Sequence, residues 1–290
     1  MKRQTCGRAS GVLIFLLFLA GLSLLLYPSV SNYWNTARQT RAILSYDDSV
    51  SRLREEEARR LLEEAEDFNR SLLNRPSSYV LTEDQAARYP STLLTEGSDV
   101  MAYLEIPAIG ATLPVYHGTE NDTLQKSVGH LEWSSLPIGG ESTHCVLSGH
   151  RGLPSSELLT NIDHLEPGDL FYIHVLGQRL AYQVDQISVV EPDDFSLLGI
   201  EEGKDYVTLL TCTPYGINTH RLLVRGKRIE NAENQKHIRV TADALRIEPI
   251  IVAPALAVPM LLVLLVVMLA VPHLRKRKNQ REENHHEEHP

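Results

Sequence analysis

Two apolar runs, one near each end, bracket this 290-residue chain and confine whatever folds in water to the stretch between them. Residues 11–27 are apolar but for Ser23, and they follow Lys2, Arg3 and Arg8. About 17 residues is the short limit for a spanning helix, so the run fits a membrane anchor or a signal peptide. Ser29-Val-Ser31 could be cleaved, but retention is favoured because a charged helical pattern soon follows. Residues 250–271 form a second run long enough to span; its Pro254 and Pro259 are tolerable in lipid. Arg275, Lys276, Arg277, Lys278 and Arg281 come after it. Basic flanks stay on the cytoplasmic side, so both termini are expected there and residues 32–248 outside.

The region between the runs changes texture near residue 99. Residues 36–73 are rich in Arg, Glu, Ala and Leu, and Leu53, Leu61, Leu62, Phe68 and Leu72 give a helical stripe. One long or broken amphipathic helix is expected. Residues 74–95 lose that period and gain Pro76, Ser77, Ser78 and Pro90, which reads as a linker or a loop lying over something. From Asp99 onward, short strands alternate with turns. Strands are expected at 101–106, 113–116, 144–148, 170–175, 179–187, 206–211 and 222–224, with a hairpin turn at Leu176-Gly177-Gln178. Short helical pieces are expected at 157–164 and 195–200. Strands this short and close together imply a closed β-barrel or sandwich with a single core.

The net charge of −9 is modest, and the basic residues cluster at the apolar flanks rather than among aromatics, so nothing points to nucleic acid. Neither a C-x-x-C pair nor an H-E-x-x-H motif occurs, and no metal site is expected. The tail histidines His285, His286 and His289 read as part of a solvated, disordered end.

Chemistry concentrates in residues 208–221. A β-rich run ends at Cys212, the turn formers Pro214, Gly216 and Asn218 follow, and Arg221 opens the next β-rich run. If the two runs pair as a hairpin, Cys212 and Arg221 face each other. A cation beside a thiol favours the nucleophilic thiolate, and a guanidinium fork can bind a carbonyl oxygen as it gains charge. Acyl transfer through a thioester is the chemistry such a pair suits. A lone cysteine at a strand end is more often a small buried hydrophobe. Cysteine usage favours the functional reading. Cys6 precedes the first apolar run, and Cys145 sits in a strand expected to be buried. A Cys145–Cys212 disulfide would consume the nucleophile and is not expected.

A cysteine nucleophile commonly needs a histidine. Candidates are His117, His130, His144, His150, His164, His174, His220 and His237. His144 and His174 fall within strands and read as structural. His220 neighbours Arg221, so alternation points it to the opposite face. His150, between Gly149 and Gly152 at a strand end, is the strongest candidate, because glycines allow a sharp turn that leaves the ring accessible.

These residues match a known pattern. Thr208-Leu-Leu-Thr-Cys212 resembles the Thr-Leu-x-Thr-Cys signature of sortases, the Gram-positive surface transpeptidases. Ser148-Gly-His150-Arg-Gly and residues 211–225 look like the class C, pilus-assembling branch, as do residues 116–118, 128–131 and 180–192. The resemblance covers about residues 99–229, and a second span also fits class C. It implies a mainly β fold: a closed sortase-type β-barrel with short helices, preceded by an N-terminal helical region and flanked by two transmembrane helices. It implies Cys212 as nucleophile, His150 as general acid/base and Arg221 as the oxyanion or substrate-positioning group, with Thr211 and Thr213 as substrate-binding neighbours. The implied partners are pilins or other surface proteins with a Leu-Pro-x-Thr-Gly sorting signal, cleaved between Thr and Gly without a cofactor and joined to a pilin lysine.

Class C members usually carry a lid with Asp-Pro-aromatic residues. Here Asp84 is followed by Gln85, and Tyr79 or Tyr89 is left to supply an aromatic plug from residues 73–94. Two other readings stay open: a sortase that anchors proteins to cell-wall peptide, and a tethered module that binds sorting signals without chemistry. The expected order is a cytoplasmic N-terminus (1–10), an anchor or signal peptide (11–31), an extracellular helical region with the lid (32–98) and the barrel (99–230). A juxtamembrane linker (231–249), a second span (250–272) and a basic, then His/Glu-rich cytoplasmic tail (273–290) follow.

Overall fold

A computed structural model describes residues 3–74, 79–230, 257–263 and 265–266. The chain divides into two units, residues 1–31 with 241–290, and residues 32–240. The expected linker, the basic tail and most of the second span lie outside the described residues; 257–263 and 265–266 are helical. Among the described residues one helix, the portion Phe15–Arg52 of α1 (Arg3–Arg52), is long and apolar enough to cross a membrane.

The amphipathic stretch is a broken helix: α1 ends at Arg52 and α2 (Glu55–Leu72) follows. Leu61, Ala65, Phe68 and Leu72 recur at helical spacing along one face of α2, and all four are buried in the main core. Truncating a fully buried phenylalanine such as Phe68 to alanine costs about 3–5 kcal/mol. Asn69, on the same face, donates to the carbonyl of Leu136 (3.3 Å) and accepts from the Leu136 amide (2.7 Å). In α1, Tyr46 donates its hydroxyl to the carbonyl of Met101 (3.2 Å) and accepts from the Leu176 amide (2.9 Å).

Eight strands close the barrel: β1 (Ala102–Ile106), β2 (Ala111–His117), β3 (Val128–His130), β4 (Thr143–Ser148), β5 (Leu170–Val175), β6 (Gln178–Val190), β7 (Asp205–Thr213) and β8 (His220–Arg228). Their order around it is β1-β2-β3-β4-β7-β8-β6-β5. The β2–β3 and β4–β7 pairs are parallel and the others antiparallel. Leu176 (φ 44°) and Gly177 (φ 78°) form the expected tight turn between β5 and β6, where both central residues need positive φ.

Cys145, Leu147, Val207, Leu209, Leu222 and Val224 point into the core. Alternate residues Val146, Leu210 and Leu223 point outward and form a second apolar cluster with Leu198, Leu131, Trp133 and Val190. That outer cluster is the floor beside the candidate site.

Three expectations need correction. Residues 157–164 form turns and a single 3-10 turn at Ile162–His164 instead of a helix, because Leu158 sits at φ 42°, outside the helical region, and residues 195–200 form one turn, closed by the Leu198 amide on the Phe195 carbonyl (2.9 Å), rather than a helix. The strand β3 and the short helix α4 (Asn121–Lys126) are too brief for periodicity to reveal. Residues 73–94 are not one covering segment. Helix α3 (Glu83–Arg88) starts with a reciprocal Thr82–Gln85 capping box, and Gln85, Tyr89 and Leu93 behind it are buried. Tyr89 is 4% exposed, so it cannot plug a site from outside.

Candidate active site

Cys212 on β7 and Arg221 on β8 are register partners. Antiparallel partners point to the same face, with Cβ atoms ~4.5–5.5 Å apart. That face is the outer one, since Leu210 and Leu223, two residues from each, belong to the outer apolar cluster. The hairpin inferred from residues 206–224 is therefore present, and its alternation aims both side chains out of the barrel.

The histidine comes from the parallel neighbour. Ser148 on β4 pairs with Leu210 on β7. The ladder continues one step further, with the Gly149 amide donating to the Leu210 carbonyl (3.1 Å). Thr211 then donates its hydroxyl to the Gly149 carbonyl (2.7 Å). Two residues past each last ladder partner stand His150 and Cys212. Carried two residues on, this register sets His150 beside Cys212 on the outer face, on neighbouring backbones that in a sheet run ~4.8 Å apart. Gly149 is required here, because a Cβ would lie 2.8 Å from the Leu159 side chain. Gly152 adopts φ 81°, and its face lies under the Tyr215 ring.

His150 is half-buried, and desolvation holds its pKa below the usual 6.5. Its ring is therefore mostly neutral at pH 7. Five other rings are occupied, and His164 lies exposed at the end of the 3-10 turn. His130 is fully buried, with its nitrogens on the Tyr89 hydroxyl (2.9 Å) and the Ser135 carbonyl (2.8 Å), and burial pushes its pKa down to about 3. His144 contacts the Gly199 carbonyl (2.8 Å) and the Thr208 hydroxyl (2.7 Å). His117 contacts the Thr92 carbonyl (2.9 Å), and His174 meets Glu105 (2.7 Å) and stacks on Tyr103. His220 lies 3.3 Å from Glu191, on the face alternation assigned to it. His237 lies outside the described residues.

Arg221 and Arg225 share one face of β8 but not one state. Arg225 makes two bonds to Asp185 (3.1 and 2.9 Å) and lies over the Tyr206 ring. Arg221 donates from Nη1 to the carbonyls of His220 (3.2 Å) and Asn218 (3.5 Å) and, among the described residues, has no carboxylate partner. Its uncompensated charge is available to a ligand beside Cys212. Cys145, by contrast, is in the core; burial raises its pKa well above the ordinary thiol value, and no disulfide joins it to Cys212.

Thr211 and Thr213 lie on the face opposite Cys212. Thr211 is 1% exposed with its hydroxyl spent on Gly149, and the Thr213 hydroxyl accepts from Arg151 Nη1 (3.2 Å). Neither hydroxyl faces a ligand lying along the Cys212 side, which corrects their expected substrate contact. Arg151 itself was missed by sequence reasoning; the only signal was its place beside His150. Tyr79 lies on the outer cluster, edge-on to Trp133 (5.2 Å) and 5.6 Å from Phe195, and donates to the Phe195 carbonyl (3.1 Å). Among the described residues no His/Cys/Asp/Glu group is arranged to hold a metal.

Known proteins resemble this chain in sequence and fold. A family model described as the sortase domain matches residues 104–229. Sortase D of Bacillus subtilis is 32% identical over 146 residues, which cover 49% of this chain and 71% of that protein. The crystal structure of sortase C1 from Streptococcus agalactiae is 48% identical, with a TM-score of 0.64 over 66% of this chain and 99% of that one. The structure of Clostridium perfringens sortase C with the C-terminal cell wall sorting motif is 46% identical, with a TM-score of 0.58 over 66% and 99%. Fold and likeness together define a cysteine transpeptidase. The chain belongs to the sortase family, in its class C branch.

Proposed function

We propose that this enzyme cleaves a Leu-Pro-x-Thr-Gly-type sorting signal between Thr and Gly and joins the freed threonine carbonyl to a pilin lysine. The observation that carries this reading is the register that pairs Cys212 with Arg221 and extends Ser148–Leu210 toward His150, beside an outer apolar floor containing Trp133, Leu210 and Leu223. Such a floor suits the leucine and proline of the signal. The likeness to Clostridium perfringens sortase C, whose structure holds the C-terminal cell wall sorting motif, supports the same substrate class.

Cys212 Sγ attacks the threonine carbonyl carbon. The neutral His150 ring takes the thiol proton, and Arg221 holds the oxygen as it becomes negative. The C–N bond to glycine breaks, and His150 delivers its proton to the departing amine. A lysine amine then attacks the thioester, the C–S bond breaks, and the amine proton passes to His150 and back to sulfur. The product is an isopeptide bond, and no cofactor takes part. The proposed setting is a two-pass membrane protein with the barrel outside and both termini in the cytoplasm.

Mass spectrometry of the covalent product formed with candidate pilins tests the proposal. A Thr–Lys isopeptide between two pilins is expected. A product ending on cell-wall peptide would make this an anchoring sortase, and binding without any covalent product would make it a recognition module.

A further inference from the structure

His150 is followed by a loop with no ladder to hold it. The last bond to β7 is the Gly149 amide on Leu210; beyond it residues 150–164 are turns, a Leu153–Ser156 bridge and the 3-10 turn at Ile162–His164, closed on themselves by the Leu159 amide on the His150 carbonyl (3.3 Å). One side-chain tie precedes the reactive pair, from the Thr211 hydroxyl to the Gly149 carbonyl (2.7 Å). Bonds from the Glu157 amide to Asn32 (3.0 Å) and from Asn35 to the Ser155 carbonyl (2.8 Å) hold the far part of the loop, but they do not tie it to β7.

A second tie follows the pair. The Arg151 side chain is only 9% exposed, and its guanidinium joins β7 to the far side of its own loop. Nη1 donates to Thr213 Oγ1 (3.2 Å), Nε to the Thr160 carbonyl (3.1 Å) and Nη2 to Asp163 (2.5 Å). Thr160 closes the same loop from its hydroxyl, which accepts from the Gly152 amide (3.2 Å). Asp163 offsets the guanidinium charge, so the contribution is one of geometry. A planar fork with five fixed donors suits that task, and a lysine cannot reproduce it.

We propose that Arg151 is a positioning residue: by tying the residue after His150 to Thr213, the residue after Cys212, it sets the His150–Cys212 separation. Proton transfer between the two needs a heavy-atom reach of about 2.6–3.2 Å, and a 1 Å misplacement can cost ~10²-fold in rate. The proposal rests on Cys212 and His150 acting as a pair.

Thr213→Val tests it, because it deletes one hydroxyl and leaves the Arg151 bonds to Thr160 and Asp163 in place. Turnover of a Leu-Pro-x-Thr-Gly peptide is measured on the detergent-solubilised full chain, with the melting temperature alongside. We expect kcat to fall roughly tenfold, KM to stay within about twofold, and melting to be unchanged. Thr213→Ser should restore kcat, and Arg151→Ala should lose no more when combined with Thr213→Val. Wild-type kcat in the valine variant, a rise in KM alone, no rescue by serine, or additive losses would each overturn the proposal. If Arg151→Ala does not fold, the valine and serine variants decide. Cys212→Ala separates the two levels. Activity retained there would refute the paired site itself, whereas activity lost there with a silent Thr213→Val would refute only the tie.

Discussion

Cys212 and Arg221 face each other across the β7–β8 ladder on the outer face of the barrel, while Arg225 on the same face is held by Asp185. The contrast separates a structural arginine from one whose charge is left for a ligand. Arg221→Lys keeps the charge and loses the fork. Turnover should fall on the order of 10²–10³, as when an oxyanion donor is removed, with the melting temperature unchanged. Near-normal kcat with lysine would reduce Arg221 to a simple charge partner.

Cys145 and Cys212 should behave oppositely. Cys212 is half-buried at a strand end, so Cys212→Ala should abolish product with little change in stability. Cys145 is buried in the core opposite Val207, so Cys145→Ala should keep kcat and cost on the order of 1 kcal/mol through the cavity it leaves. Kinetics and denaturant melts on both variants read this directly. Product formation by Cys212→Ala would remove it as the nucleophile.

Acid should weaken the fold before it strips the carboxylates. Burial holds His130 down to about 3 against an unfolded value of about 6.5. Below pH 6.5 the unfolded chain binds a proton that the folded chain refuses, so stability is complete above 6.5 and is lost as pH falls toward 3. The loss from this ring is on the order of 2 kcal/mol at pH 5. Burial lowers His117 and His144 in the same sense. Urea melts between pH 7 and 5 check it, and a flat profile would refute the assignment. His150 is also held below 6.5, so the acid limb of kcat/KM should lie below that pH.

Tyr79 should restrain access to the outer floor modestly. Its two aromatic contacts are worth about 0.5–1.5 kcal/mol each beyond burial. Tyr79→Ala should raise the rate of Cys212 labelling by small thiol reagents roughly two- to tenfold. An unchanged rate would mean that Tyr79 does not cover the site. Removing residues 82–93 should instead destabilise the domain, since Gln85, Tyr89 and Leu93 are part of its interior.

The membrane arrangement is open to reporter fusions. Basic residues before residue 11 and after residue 271 should keep both termini in the cytoplasm. A fusion at Pro290 should be active only with a reporter that works in the cytoplasm. Activity of an external reporter at that position would refute the second span.

Features of this enzyme that depend on neighbours along the chain were legible in its residues. The β5–β6 turn follows from Gly177, the α2 face from the spacing of Leu61, Phe68 and Leu72, and the Cys212–Arg221 pairing from two β-rich runs around a turn. Features that depend on strands far apart in the chain emerged only with the folded barrel. The parallel β4–β7 pairing brings His150 to Cys212, and no local pattern encodes a contact across 62 residues. The same pairing turned Thr211 and Thr213 inward and made Arg151 a bridge. Tyr89, a surface plug by its place in a turn-rich segment, went inside because the His130 ring and the Gly118 amide gave its hydroxyl the partners that burial demands.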